Sequence, residues 1–224
     1  MWMTEEEWLM IDLFSGLGGA SQAMEEDENW RVITIDNQEK FNPDICKDIL
    51  DVEPQDITTK KPDLVWSSPP CDRFTVASIG KYWDKQDNIY LPKNEEVIER
   101  IELVYHSLYL IEKLEPDYWF LENPRAMLRK VLGEPKGTIT LCQFGEDRMK
   151  PTDLWGSHPE GFEYRSCSNG ADCHESAPRG SRTGTQGVKS SAERAKMPYE
   201  LSKYIKKQIE GEVNVGQKKM GGSK

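Results

Sequence analysis

WLMIDLFSGLGGAS, residues 8–21, is the stretch on which the fold turns. A short apolar run reaches an acid, Asp12, and then enters a turn holding Gly16, Gly18 and Gly19. SQAMEEDENW follows with helical character, and WRVITID (30–36), rich in β-branched residues, ends on Asp36. A strand, a glycine turn, a helix and a second strand ending in an acid form the opening unit of a parallel α/β sheet. The glycines let backbone approach a ligand closely and expose N–H groups at a helix start. Asp36 sits where ribose hydroxyls are bound in such folds. The spacing is GxGG and not the GxGxxG of dinucleotide folds. An ordinary βα turn with structural glycines would read the same way.

The alternation continues outward. PDLVWSSPP (62–70), DYWFLENP (117–124) and GTITLCQFG (137–145) read as strands. Between them, residues 94–116 place apolar side chains on one wide helical face, closed by Pro116. This predicts a mostly parallel, doubly wound sheet covered on both faces. RAKMPYELSKYIKKQIEGE (194–212) resumes a helical period with Leu201, Tyr204, Ile205 and Ile209 on one side. The expected catalytic domain is 1–155 with 190–212. Residues 156–189, rich in Gly, Ser, Pro and Arg, read as a small insert or loop, and 213–224 as a disordered tail.

The chain has 224 residues, 29 Lys+Arg and 39 Asp+Glu, for a net charge of −10. The charge is uneven: residues 123–224 carry 18 basic and 12 acidic residues, leaving 11 and 27 for residues 1–122. That balance speaks against a protein that coats nucleic acid unspecifically. It leaves room for a nucleic-acid enzyme with its basic groups in the second half. No apolar run approaches the ~20 residues of a membrane span, and the acidic N-terminus lacks the features of a signal peptide. Five scattered Cys make a poor disulfide framework and suit a reducing, cytoplasmic setting.

Three further segments carry chemistry. In SSPPCDRFT (67–75) two prolines stiffen the turn that presents Cys71 beyond a strand end, where open α/β sheets bind ligands. A thiol there, beside Arg73, could be activated as a nucleophile. A buried, inert thiol is the bland reading. In WFLENPRAM (119–127) Glu122 and Asn123 follow an apolar strand, and burial would raise the pKa of Glu122 towards neutrality. In LCQFGEDRMKPTDLWG (141–156) Arg148 and Lys150 could contact phosphate or hold a carboxylate. Taken singly, Glu122 could be a helix-capping or surface carboxylate, and Arg148 and Lys150 read as a solvated charge cluster.

Taken in order, the segments resemble the cytosine-C5 DNA methyltransferase family. DLFSGLGGAS is similar to its first motif, SSPPCDRFT to its Pro-Cys loop, and WFLENPRAM to its Glu-Asn loop. CQFGEDRMK is similar to a later Gln/Arg motif, and RAKMPYELSKYI, more loosely, to the last one. SPPC replaces the commoner Gly-Phe-Pro-Cys, Pro follows Glu-Asn, and the usual Gly-Asn of the last motif is absent. The short length and the Glu-Asn-Pro form resemble compact phage or mobile-element members. The resemblance implies a Rossmann-like methyltransferase fold and S-adenosylmethionine as donor. It places Phe14 against the adenine, Ser15, Gly16 and Gly18 near the amino-acid part, and Asp36 on the ribose. Asp48 and Ile49 would frame the adenine, with Pro69 and Leu103 lining the same pocket. Cys71 would attack C6 of a flipped cytosine, Glu122 would protonate N3, and Arg148 or Lys150 would orient the intermediate, without a metal.

DNA is the expected partner. Arg73, together with Arg179, Arg182, Thr183, Gln186 and Lys189 of PRGSRTGTQGVK (178–189), are the candidate contacts to it. An insert so short predicts brief or relaxed sequence specificity. Cys167, Cys173 and His174, with His158 nearby, could bind zinc, but their spacing is not that of a standard finger and the reading is unligated loop residues. Three competing functions keep much of this reading. One is methylation of cytosine N4, whose Ser-Pro-Pro-Tyr loop is close to SPPC. Another is C5 methylation of tRNA. The last is a catalytically dead nucleic-acid-binding subunit.

Overall fold

The computed structural model describes residues 7–87, 89–175 and 190–220, with the side chains of 191 and 212–220 left out. The strands are β1 (Trp8–Leu13), β2 (Trp30–Asp36), β3 (Ile45–Cys46), β4 (Leu64–Ser67), β5 (Trp83–Gln86), β6 (Ile89–Pro92), β7 (Tyr118–Pro124), β8 (Gly137–Thr140) and β9 (Pro151–Ser157). Seven of them form one sheet in the order β3-β2-β1-β4-β7-β9-β8, and β5 and β6 form a separate hairpin. The pairs from β3 through β7 are parallel, while β9 runs antiparallel to both β7 and β8. The first two strands cross over at β1–β4, so ligand-binding loops gather beyond the carboxyl ends of β1 and β4.

The period of two along β1 sorts its side chains. Leu9, Ile11 and Leu13 pack with Ile33, Ile35 and Val65 beneath Leu110, Ile111 and Leu114 of the long helix. Met10 points the other way, with Trp66 and Phe120, beneath Leu201, Tyr204, Ile205 and Ile209 of the C-terminal helix. Both faces are thus dry, which is why these strands read as near-continuous apolar runs. The long helix spans Glu95–Leu114; Asn94 caps it by accepting from Val97 N–H, and Glu115 leaves it in the left-handed region at φ 49°.

Several elements differ from expectation. The helix after the glycine turn is a single turn, Gln22–Glu25. Residues 141–144 form a 3-10 turn, not the end of a strand. PTDLWGS (151–157) is a strand, β9; its polar Asp153 is buried with two Arg129 bonds of 2.6 and 2.7 Å and a third from Thr138 Oγ1 at 2.7 Å. The supposed insert begins inside β9 and stays on the core through Cys167: Phe162 packs on Phe120, and Thr140 N–H donates to the Arg165 carbonyl at 3.0 Å. The C-terminal helix runs Tyr199–Met220, after a break at Pro198, and so continues through much of the stretch that composition marks as a disordered tail. Glu, Gln and Lys there are good helix formers. Residues 176–189, and with them Arg179, Arg182, Thr183, Gln186 and Lys189, lie outside the described residues. No helix among the described residues is long and apolar enough to cross a membrane.

The C-terminal segment closes onto the glycine turn. A Cβ on Gly19 would lie 2.5 Å from the Met197 carbonyl oxygen and 2.7 Å from its nitrogen. Ala23 N–H donates to Ser202 Oγ at 3.0 Å. Both contacts are backbone-tight, so Gly19→Ala should destabilise by about 1–3 kcal/mol in urea unfolding. Gly80→Ala, whose Cβ meets open space, should not destabilise.

Asp12 follows the same alternation into the interior, where it is 1% exposed. Burial pushes its carboxyl up from 3.8 to about 7; a Ser21 hydrogen bond opposes this, and Glu25 and Asp36 add to it. The folded state therefore holds this proton more tightly than the unfolded chain does. The stability it contributes is complete below pH 3.8 and is lost as pH rises through about 7. Asp12→Asn should flatten that decline, gaining on the order of a few kcal/mol over the parent at pH 8 relative to pH 4. Unfolding curves at the two pH values measure it.

Candidate active site

β4 and β7 pair in parallel with Ser67 opposite Leu121. The residues that follow, 68–71 and 122–123, therefore leave the sheet side by side. Asn123 is fully buried and its Nδ2 donates to the Pro69 carbonyl at 3.0 Å, two residues before Cys71. Ser68 joins the two loops again. It accepts from Trp66 Nε1–H at 2.6 Å and hydrogen-bonds the Glu122 carboxylate. Pro69 and Pro70 remove two N–H donors from this crossing, so the loop can run extended without orphaned groups.

Glu122 is 5% exposed, and its Oε1 is buried without a hydrogen-bond partner. Burial raises its pKa, Lys150 and the Ser68 hydroxyl oppose the rise, and Asp153 adds to it. Cys71 is half-buried. Burial and then the Glu122 charge push its thiol up to about 11, with Lys150 pulling the other way and Asp72 adding to the rise. Two acids and one cation are thus electrostatically coupled in one pocket, and Lys150 favours the ionised form of both acids. Lys150 Nζ is held by the Arg194 carbonyl at 3.1 Å.

Arg73 and Arg148 turn to other partners. Arg73 bonds Asp72 at 2.7 Å and Glu96 at 2.9 Å and lies over the Tyr82 ring at 4.3 Å. Its backbone carbonyl accepts from Trp83 Nε1–H at 2.7 Å. It braces the Cys71 loop against the long helix and the β5–β6 hairpin, and the forces that act on the thiol come from Glu122, Lys150 and Asp72 instead. Arg148 is forked onto Glu146 at 2.8 and 3.0 Å.

Around the glycine turn, Phe14, Gly16 and Gly18 all have positive φ, at 64°, 52° and 66°. For Phe14 this is a strained conformation, of the kind concentrated at ligand sites. Asp36 holds the turn, accepting from Gly16 N–H at 3.0 Å and from Gln38 N–H at 2.9 Å. Each oxygen keeps a lone pair for another donor. A cleft of about 550 Å³ opens here, lined by Ser15, Gly16, Gly18, Glu25, Phe41 and others. Phe14, Ile49 and Leu103 meet in one apolar cluster on the neighbouring sheet face. Asp48 caps the turn that carries Ile49, accepting from Leu50 N–H at 3.1 Å.

Sequence reasoning passed over Asp12, Ser68, Arg129 and Asp153, and gave Asn123 no role. Asn123 and Ser68 could have been found as polar residues flanking the two motif acids. The Arg129–Asp153 pair leaves no such signal. His158 stands apart from the other candidate ligands: it stacks on Phe120 at 4.1 Å and bonds Tyr164 through Nδ1 at 2.7 Å. Burial lowers its pKa to about 4.

The chain matches the model of C-5 cytosine-specific DNA methylases over residues 9–140, more than half its length. It is 26% identical over 171 residues to a protein of Frog virus 3 described as a DNA (cytosine-5)-methyltransferase, covering 73% of this chain and 77% of that one. It is 28% identical over 133 residues to the type II methyltransferase M.HgiGI of Herpetosiphon aurantiacus, covering 54% of this chain and 94% of that one. Among solved structures, it is similar to a DNA modification methyltransferase encoded within a prophage (E. coli), with a TM-score of 0.46 and 16% identity, covering 67% of this chain and 46% of that one. The Entamoeba histolytica methyltransferase EhMeth gives a TM-score of 0.49 and 16% identity, over 72% of this chain and 57% of that one. With the matched region spanning the glycine turn, Cys71 and Glu122, the chain belongs to the C-5 cytosine-specific DNA methylase family of enzymes.

Proposed function

We propose that the protein methylates C5 of cytosine in DNA through a covalent Cys71 adduct, with S-adenosylmethionine as donor and a base flipped out of the duplex. The observation that carries this reading is the joining of the Pro69 carbonyl to Asn123, which keeps the Cys71 and Glu122 loops together. The residues around the glycine turn fit the donor. Two glycines with positive φ border the cleft, Asp36 at the same turn has lone pairs to spare, and Phe14 leads from the turn into the apolar cluster that holds Ile49 and Leu103 on the other sheet face. When bound, S-adenosylmethionine supplies an electrophilic methyl group.

The chain's own residues make cytosine able to accept it. The Cys71 thiolate adds to C6, and Glu122 delivers a proton to N3, so the ring becomes an enamine nucleophilic at C5. After C5 is methylated, a solvent base takes the C5 proton, the C5–C6 double bond re-forms as the Cys71 thiolate leaves C6, and N3 returns its proton to Glu122. The proton on Glu122 serves twice. It is the one donated to N3, and while it is present the carboxyl no longer opposes ionisation of Cys71. Lys150 favours the thiolate and steadies the carboxylate left after donation. A cytoplasmic location fits this chemistry. Arg73, half-buried and engaged in its own ion pairs, acts in this reading as a brace for the loop and not as a DNA contact.

Nucleoside mass spectrometry on DNA and tRNA from cells expressing the protein tests the reading. It should find 5-methyldeoxycytidine in DNA, absent with Cys71→Ser. N4-methyldeoxycytidine, or methylation confined to tRNA, would overturn it. A second prediction separates the two roles of Glu122. Glu122→Gln removes the charge that raises the thiol pKa, so alkylation of Cys71 by iodoacetamide at pH 8 should speed up. Methyl transfer should nonetheless fall about 10²–10⁴-fold for want of the proton.

A further inference from the structure

Four side chains outside the catalytic pocket converge on one point. Cys142 comes from the 3-10 turn after β8, and Cys167, Cys173 and His174 from the segment that follows Arg165. Cys142 Sγ lies 3.2 Å from Cys167 Sγ and 3.7 Å from Cys173 Sγ. His174 Nδ1 lies 3.6 Å from both Cys167 Sγ and Cys173 Sγ. All four ligand atoms fall within 4.8 Å of one another. From these contacts we propose that Cys142, Cys167, Cys173 and His174 form a tetrahedral structural zinc site.

The 3.7 Å sulfur pair and the two 3.6 Å sulfur–nitrogen pairs lie close to the edges of a zinc tetrahedron, and the 3.2 Å pair is shorter and would have to open to admit the ion. Zinc bonded at about 2.3 Å to sulfur and about 2.0–2.1 Å to nitrogen sets tetrahedral edges of roughly 3.8 Å between sulfurs and roughly 3.5 Å between sulfur and nitrogen. A disulfide would need about 2.05 Å between sulfurs, far below the shortest pair here. Three thiols and an imidazole are soft donors that select zinc over magnesium or calcium. Four protein ligands close the tetrahedron, which marks a structural and not a catalytic ion. Among the described residues nothing else orients the imidazole: its Nε2 is buried and has no hydrogen-bond partner there. Gln143 Nε2–H donates to Cys173 Sγ at 3.1 Å, the kind of outer bond that steadies a thiolate ligand.

The placement gives the ion a task. Phe162 and Tyr164 are on the core, but from Cys167 to Glu175 the chain buries no large apolar side chain. A segment with so little core needs a staple. Glu175 N–H donates to the Asp147 carbonyl at 2.9 Å, so this segment also lies along the turn that leads to Arg148 and Lys150. The metal would fasten the stretch entering residues 176–189 to the loop that bears the pocket's lysine. The site stands independently of the methyl-transfer reading.

The test is metal content and spectroscopy on the full chain. Protein purified without chelator and dialysed should hold one zinc per chain by plasma mass spectrometry. Cobalt(II) in its place should give the intense visible bands of a tetrahedral thiolate site. Cys173→Ser or His174→Ala, at accessible positions, should weaken zinc binding at least about 100-fold. Cys46→Ser, an exposed cysteine elsewhere, should change nothing. Substoichiometric zinc that Cys173→Ser leaves unchanged, octahedral cobalt spectra, or a Cys142–Cys167 disulfide in non-reducing mass spectrometry would each overturn the proposal. Should a variant fail to fold, the wild-type cobalt spectrum decides alone.

Discussion

The hydrogen bond from Asn123 Nδ2 to the Pro69 carbonyl is the contact on which the site depends. Parallel pairing of β4 and β7 brings two loops out of the sheet together, but only as loops. Loops of this length wander unless tied. Asn123 ties them in the dry interior, where its amide has no water to compete for it. The prolines before Cys71 leave carbonyls without adjacent N–H groups, so a side-chain donor finds its acceptor there. Ser68 adds a second tie, and Arg73 braces the far side of the loop through Glu96. Cys71 and Glu122 are thereby held without either having to bond the other.

Electrostatics then set what the pair can do. Two buried acids close together cannot both ionise cheaply. The first proton to leave makes the second harder to remove, and Lys150 softens both steps. Such a pocket rests with its thiol protonated, and the thiol ionises most readily while Glu122 holds its own proton. Beside β7, the half-buried Arg129 holds the buried carboxylate of Asp153 on β9 in a second ion pair. In the register of β7 with β9, Asp153 stands opposite Asn123 and Leu154 opposite Glu122, so the site's residues and this ion pair share one strand pair.

Much of this was legible in the sequence. The apolar runs at 8–13, 30–36 and 118–124 announce strands because both faces of a parallel sheet are dry, and the glycine turn and Pro-Cys loop sit at the strand ends that the fold uses. β9 was hidden because Thr152 and Asp153 are polar; Asp153 is held in the interior by Arg129, more than twenty residues away in sequence. The β5–β6 hairpin was hidden because most of its side chains face water and carry no alternation. Three of the four clustered ligands are visible as a C-x5-C-H run, whereas Cys142 lies in another motif and was read as a strand end. His158, taken as their neighbour, is instead drawn under Phe120 by its flat apolar faces. Arg148 is visible as a cation, but its partner two residues back is a matter of turn geometry.

The central claim is that sulfur 71 and carboxyl 122 act on opposite edges of one cytosine. It is tested most directly by incubating the protein, with S-adenosylmethionine, on duplex DNA carrying 5-fluorocytosine, since fluorine at C5 cannot leave as a proton does and stalls the reaction as an adduct. The account predicts a denaturation-resistant protein–DNA complex with the crosslink mapped to Cys71. Methylated product without any adduct, or an adduct mapped to another residue, would contradict it.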